Sequence, residues 1–168
     1  TLEPCAHHGK TPPCADAVAR AGVRRVAVSM RDPHPLVAGR GLTLLRRSGL
    51  RVETGLLEGE ARRLNAAFLS LVLRGRPLVT AKWAMSLDGK IATAAGDSKW
   101  ITSPEARREA RRMRGLADAV LVGAGTVAAD DPLLMPEDSR RIPVRMVVDS
   151  RGVTLAGSRL LRSARRSP

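Results

Sequence analysis

Tyrosine is absent from this 168-residue chain, and the other aromatics come down to Phe68, Trp83 and Trp100. A protein that grips single-stranded nucleic acid needs flat side chains to stack bases between its basic residues. The scarcity therefore argues against nucleic acid as a partner, although the net charge is +13 and the pI about 11.5. Lysine is scarce too: Lys10, Lys82, Lys90 and Lys99 are the whole set. Nearly all the positive charge is arginine, as a GC-rich coding sequence tends to produce. Long apolar runs are also missing. A membrane span needs ~18 apolar residues, and the longest candidate, Ala66 to Leu73, stops at Arg74. The chain opens Thr1-Leu2-Glu3-Pro4, without an initiator Met and without a charged-then-apolar leader. The expectations are no membrane, no nucleic acid and a cytoplasmic location. In such a compartment two cysteines suggest metal or catalysis before they suggest a bridge. The hydrophobic fraction of 43% is enough to build a core.

The pattern along the chain is that of alternating strands and helices, hence an α/β fold. Pro12 to Ala21 reads as a helix with prolines in its first turn and Gly22 behind it. Arg25 to Met30 is a β-branched run and predicts a strand. Gly39 to Ser48 reads as a Gly-opened helix closed by Gly49, and Leu50 to Thr54 alternates as a half-buried strand does. Glu58 to Leu73 carries apolar residues at helical spacing and ends in Arg74-Gly75-Arg76-Pro77, a stop that marks a domain boundary. Beyond it, Leu78 to Met85 predicts a strand and Ser103 to Gly115 a basic helix. Ala119 to Val122 predicts a strand, Gly123 to Thr126 the opening of another helix, and Pro143 to Asp149 a further strand. The tail from Arg159 to Pro168 reads as frayed and basic.

Thr1 to Ala15 reads TLEPCAHHGKTPPCA, with Cys5 and Cys14 on either side of a turn-rich insert. Cys14 falls at a helix N-terminus, where the helix dipole favours the thiolate that binds metal. Zinc takes soft sulfur and nitrogen ligands in a tetrahedron, one position of which a catalytic site keeps for water. Taken alone, a cysteine pair at this separation is more often two buried thiols without metal. The string Glu3-Pro4-Cys5 followed by His7-His8-Gly9-Lys10-Thr11-Pro12-Pro13-Cys14 resembles the zinc signature of the riboflavin-pathway deaminases, within the cytidine-deaminase-like superfamily. Asp32-Pro33-His34-Pro35 with Val37-Ala38-Gly39-Arg40-Gly41 is similar to the next block of that family. The resemblance implies that Cys5 and Cys14 are zinc ligands and that Lys10, with His7, faces the substrate's phosphate or ring. In that family a third ligand, a His, and a proton-shuttling Glu lie in a His-x-Glu segment before the first Cys, ahead of Thr1 here. Glu3 stands too close to Cys5 to be that shuttle.

In the second half, Lys82 to Ala92 (KWAMSLDGKIA) and Gly96 to Ser103 (GDSKWITS) are polar loops following apolar residues. Each is also compatible with a plain turn or an N-cap. Val120 to Thr126 runs from a strand through Gly123-Ala124-Gly125 into a helix, where free N–H groups suit a phosphate. Such a turn is just as often a tight connection. It lacks the dinucleotide fingerprint, since Ala128 stands in place of the third Gly. In order, these blocks, with Ala129-Asp130-Asp131-Pro132 and Arg145 to Ser150, resemble the reductase half of bifunctional riboflavin-biosynthesis deaminase/reductases, a dihydrofolate-reductase-like fold.

The resemblance covers most of the chain and makes it a piece of a longer gene product. Residues 1–75 would be the C-terminal part of a zinc deaminase domain, and residues 76–168 the N-terminal part of an NADPH-dependent reductase domain. It implies that Ala84, Trp100, Thr126, Asp130 and Ser150 contact NADPH, that Ser98, Arg114 and Leu134 contact substrate, and that Lys82 sits at the hydride-transfer centre. Arg114 would pair with the substrate phosphate. Where the family carries a further phosphate-binding Arg, this chain has Glu137, with Arg140 and Arg141 nearby. A later Gly-rich nucleotide segment is expected beyond Pro168. The implied activity is hydrolytic deamination of a phosphoribosylated diaminopyrimidine, followed by reduction of its ribosyl group to ribityl. The partner is that small phosphorylated pyrimidine, and a homo-oligomer is compatible with the pattern. Two rival readings stand beside it: a reductase-only protein with a degenerate deaminase domain, and a basic nucleic-acid-binding module.

Overall fold

The computed structural model describes residues 1–138, 141–154 and 157–164. They divide into two compact units, Thr1–Thr80 and Ala81–Pro168. Each is a mixed α/β unit built on a two-stranded parallel sheet.

In the first unit the order is α1 (Cys14–Arg20), β1 (Arg25–Val28), α2 (Arg40–Arg47), β2 (Arg51–Thr54), α3 (Glu58–Leu64) and α4 (Ala66–Arg74). Strands β1 and β2 pair in parallel from Arg25↔Arg51 to Val28↔Thr54, with α2 as the crossover. Parallel pairing requires such a crossover, because a tight hairpin can only reverse the chain. Helix α2 packs on α1 and on β2. Ala15 of α1, Leu45 of α2 and Leu50 form a core, with Val18, Val26 and Val52 against it. Leu45 is fully buried; burying a side chain of that size stabilises by about 1.5–3 kcal/mol. A second cluster joins Met30, Ala61 and Leu69 with Leu2 and Phe68. An isolated bridge pairs Leu2 with Met30 in parallel, so the N-terminal arm extends the sheet on the β1 side.

The stretch expected to be one helix from Glu58 to Leu73 is two. Asn65 breaks it: its side-chain amide donates to the Ala61 carbonyl at 2.7 Å, and its backbone leaves the helical region at φ −101°. A polar side chain that competes for a backbone acceptor interrupts a helix in this way. Helix α4 ends where the Arg-Gly stop predicts, at Gly75 with φ 65°.

The second unit holds α5 (Pro104–Arg114), β3 (Ala119–Gly123), α6 (Ala124–Asp130), β4 (Val144–Val148) and α7 (Arg159–Ser163). Ser103 caps α5 by accepting the Ala106 N–H at 3.2 Å, as an N-cap serine does. Strands β3 and β4 are parallel, from Ala119↔Val144 to Gly123↔Val148, and α6 packs on both. Val127 of α6 and Leu134 are buried. The expected strand over Leu78–Met85 does not form. Its apolar pattern is intact, but these residues are coil and make no backbone–backbone hydrogen bond with any described residue. A strand exists only against a partner ladder, which pattern alone cannot supply. The tail expected to be frayed instead begins with α7, capped by Ser158; residues 165–168 lie outside the described residues.

Candidate functional sites

In the first unit the insert folds so that its two cysteines meet. The backbone N–H of Cys14 points at Cys5 Sγ at 3.4 Å, and the N–H of Ala15 donates to the Cys5 carbonyl at 3.0 Å. Cys14 is the first residue of α1, whose N-cap Pro13 offers no side-chain cap. Cys5 is half-buried and Cys14 exposed, and neither is in a disulfide. Cys5 raises the Cys14 thiol above its usual pKa, first through a side-chain hydrogen bond and then through charge repulsion, with a small burial contribution. That is the opposite of the lowering expected from the helix N-terminus. Two thiols sharing one space cannot both ionise cheaply without a cation between them. In chemistry the pair offers two of the soft ligands that zinc takes. Among the described residues no cluster of three or more His, Cys, Asp or Glu side chains could hold a metal, so the two thiols do not by themselves complete a metal site. His7 Nδ1 is buried without a hydrogen-bond partner among the described residues, and Lys10 is exposed in the loop. A cavity of about 680 Å³ in this unit runs along α2, lined by Arg31, Gly39, Arg40, Thr43, Arg46 and Arg47. It is not at the thiol pair.

In the second unit two of the expected cofactor residues follow closely on the carboxyl ends of the sheet strands. Register places Gly123 beside Val148 at the carboxyl ends of β3 and β4. Thr126 follows three residues after the first and Ser150 two after the second, both exposed. Open α/β sheets bind their ligands at such strand ends. Asp130, the last residue of α6, is ion-paired with Lys99 Nζ at 3.0 Å. This brings the loop carrying Ser98 and Trp100 to the same helix. Trp100 is 70% exposed, with the Arg107 guanidinium 4.2 Å from its ring centroid. Ala84 lies half-buried in the 77–86 coil, and among the described residues no hydrogen bond ties that stretch to β3 or β4. Lys82, in the same coil, is exposed.

Arg114, half-buried at the end of α5, donates to the Met135 carbonyl at 3.1 Å, which brings it beside Leu134. Burial, and then the neighbouring Arg111, lower its pKa below the usual guanidinium value. Glu137 binds Arg111 at 2.5 Å and Arg108 at 3.4 Å. The carboxylate that stands where the resembled family has an Arg thus closes onto the basic face of α5. Arg141 pairs with Asp118 on the segment between α5 and β3; Arg140 lies outside the described residues.

Three residues escaped the sequence reading. Arg145 of β4 is buried, donating to the Leu133 carbonyl at 3.1 Å and to Ser163 Oγ at 2.8 Å. The β4 pattern turns Arg145 inward and Met146 outward, against the apolar rule. Asp149 follows β4 and accepts the N–H groups of Arg151, Val153 and Thr154. Its carboxyl is lowered to about 2, by the Thr154 side chain first and then by those N–H groups, though the Thr154 hydroxyl faces it without completing a well-formed bond. An Asp followed at short range by Gly and Thr is a turn signal that could have marked it. Glu3 is the third.

Comparison with known proteins gives a consistent result. Residues 77–166 match the family described as the RibD C-terminal domain. The riboflavin biosynthesis protein RibD of Bacillus amyloliquefaciens is 51% identical over 154 residues, 90% of this chain and 41% of that protein. Its Escherichia coli counterpart is 47% identical over 89% of this chain and 45% of its own length. Among solved structures, a diaminohydroxyphosphoribosylaminopyrimidine deaminase/5-amino-6-(5-phosphoribosylamino)uracil reductase from Thermotoga maritima aligns with a TM-score of 0.83 at 47% identity. It covers 91% of this chain and 44% of that one. Acinetobacter baumannii RibD aligns with a TM-score of 0.84 at 43% identity, over 96% and 48%. The chain spans less than half the length of the relatives it matches. Matches covering nine-tenths of it extend well into the residues before position 77.

Proposed function

The chain belongs to the RibD C-terminal domain family, and from that premise we propose that it serves two consecutive steps of riboflavin biosynthesis on one small phosphorylated pyrimidine. In this reading residues 1–75 belong to a zinc deaminase domain and residues 76–168 to an NADPH-dependent reductase domain. The observation that carries it is the alignment of both units with a protein described as a deaminase/reductase, at 47% identity and a TM-score of 0.83. In the described residues no helix is long and apolar enough to cross a membrane.

In the deaminase half, Cys5 and Cys14 would supply two of the zinc ligands, and zinc held there would supply an activated water for hydrolysis at the amino-bearing ring carbon. That carbon gains oxygen and loses the amino group as ammonia. Lys10, exposed on the loop between the thiols, offers its ammonium to the substrate phosphate. In the reductase half NADPH would supply the hydride for the opened ribosyl carbon, and the protein's own part is orientation and charge. Thr126 and Ser150 past the strand ends, Asp130 at the end of α6, Trp100 on its loop and Ala84 would hold the cofactor. Ser98 and Leu134 border the pyrimidine, Arg114 answers its phosphate, and Lys82 orients the carbon that receives hydride.

The test is to supply the intact protein with the phosphoribosylated diaminopyrimidine, following ammonia release and NADPH oxidation together. Both signals in sequence support the reading. Reduction of already deaminated substrate without any ammonia release would instead leave a reductase with an inert first domain.

A further inference from the structure

Glu3 is 4% exposed, the most deeply buried carboxylate among the described residues, and makes no ion pair among them. An isolated buried charge is costly unless hydrogen bonds compensate it. Here backbone N–H groups do so. Oε1 accepts from Gly39 at 2.9 Å and from Gly41 at 3.1 Å, and Oε2 accepts from Gly39 at 2.9 Å and from Asp32 at 3.2 Å. Gly39 is the N-cap of α2, has no side chain to cap with, and stands before a first turn without an acidic residue. Glu3 therefore provides from the N-terminal arm the cap and negative charge that α2 lacks. The arm is seated closely: a Cβ on Gly41 would stand 1.8 Å from the Pro4 carbonyl oxygen. Two residues past Glu3 is Cys5, whose sulfur and carbonyl meet the first turn of α1.

We propose that Glu3 is a positioning residue for the thiol half-site: its carboxylate pins the Thr1–Cys5 arm to the start of α2, and so fixes Cys5 against Cys14 before metal arrives. The proposal rests on the zinc reading above. Only a carboxylate meets the demand, because both oxygens must accept and three N–H groups converge on them. A glutamine at this position turns an NH2 group toward a backbone N–H, and one side of the clamp opens. Ligands whose supports are removed typically lose 10–100-fold in metal affinity, and loosening the Cys5 arm belongs at the low end of that range, about tenfold.

The test uses the intact protein, with zinc affinity measured by chelator competition and cobalt substitution read through its thiolate charge-transfer absorption. Wild type should bind one metal ion with a two-thiolate spectrum, and Cys5→Ser should lose both. Glu3→Gln should bind zinc about tenfold more weakly and show a weakened thiolate band. Thr43→Ala removes the hydroxyl bond to the Gly39 carbonyl, 2.8 Å long, and so disturbs the same helix turn without touching the arm. It should keep wild-type affinity and spectrum, which separates positioning from general stability. Wild-type affinity and spectrum in Glu3→Gln would overturn the proposal and leave the zinc reading standing. Wild type that takes up no zinc would overturn both. Should Glu3→Gln not fold, Gly41→Ala, which displaces the Pro4 carbonyl and spares the carboxylate, is judged by the same two readouts.

Discussion

Replacing Gly41 by alanine sets two effects of opposite sign against each other. Gly41 is the second residue of α2, and propensity alone favours alanine over glycine in a helix by about 1 kcal/mol. The added Cβ, however, would lie 1.8 Å from the Pro4 carbonyl oxygen. Neither partner can rotate away, since both are fixed by backbone, and the Glu3 clamp holds the arm where it is. Overpacking of a close-fitted site costs about 1–3 kcal/mol, and contact with a backbone atom puts this site at the top of that range. The net expectation is a loss of about 2 kcal/mol, the propensity gain set against the overpacking cost. The comparison comes from Gly59, which is also the second residue of its helix, α3, in the same unit. A Cβ there meets nothing nearer than the tip of Arg63 at 4.0 Å, so Gly59→Ala should stabilise by up to about 1 kcal/mol. Urea unfolding of the two variants beside wild type, with equal slopes, reads both signs directly. If Gly41→Ala matched or exceeded wild-type stability, the seating of the Pro4–Cys5 arm on α2 would be wrong, and so would the geometry on which the Glu3 clamp depends.

Other outcomes are as specific. The Asp149 carboxyl, lowered to about 2 from 3.8, stabilises its turn above the ordinary carboxylate pKa and ceases to do so as pH falls through 2. The Val153 and Thr154 amides should therefore stay protected from hydrogen exchange at pH 4 and lose protection near pH 2, whereas in Asp149→Asn they should be exposed at both. Thr126→Ala should weaken NADPH binding in the intact protein by about tenfold, the worth of one hydrogen bond, in fluorescence titration. Equal affinity would remove Thr126 from the cofactor site. Lys82→Ala should slow NADPH oxidation while ammonia release continues at the wild-type rate. Arg114→Ala should raise the KM for phosphorylated substrate more than it lowers kcat, and a change confined to kcat would take Arg114 off the phosphate.

What could be read in advance was local. The Gly39 and Gly75 boundaries, the Ser103 cap and the β3 and β4 runs all rest on residues whose preferences act within a few positions, whereas the Cys5–Cys14 pairing came from the family resemblance. What could not be read depends on partners distant in sequence. Leu78–Met85 has the composition of a strand, yet finds no ladder among the described residues. Glu58–Leu73 has one continuous helical period, yet the Asn65 amide competes for a backbone acceptor and splits it. Glu3 entered only as the first residue of the Cys5 signature and as a carboxylate too close to Cys5 to be the proton shuttle. Its role appears once residues 32–41, some thirty positions later, fold back onto it. Arg145 was hidden by the opposite habit, since a charge in an apolar strand is expected to face water. In the second unit, strand order puts Thr126 and Ser150 just past the ends of β3 and β4, because parallel strands deliver their following residues to one end, whereas Ala84 hangs on a strand that does not form.

Both sheets close over nearly the same stretch of chain: Arg25 meets Arg51, and Ala119 meets Val144. Among the described residues both sheet pairings are thus made within one unit, by strands a single crossover apart. On the ribosome, elongation proceeds at about 5–20 residues per second. The β1–β2 sheet can therefore form, with α2 docked on it, seconds before β4 has been synthesised. Contacts of short sequence separation form fast, so the thiol arm has a finished surface to settle on while the second sheet is still being translated. Errors in the later half would then leave the earlier half folded, and a nascent chain stalled after Thr80 should already resist protease through its first unit.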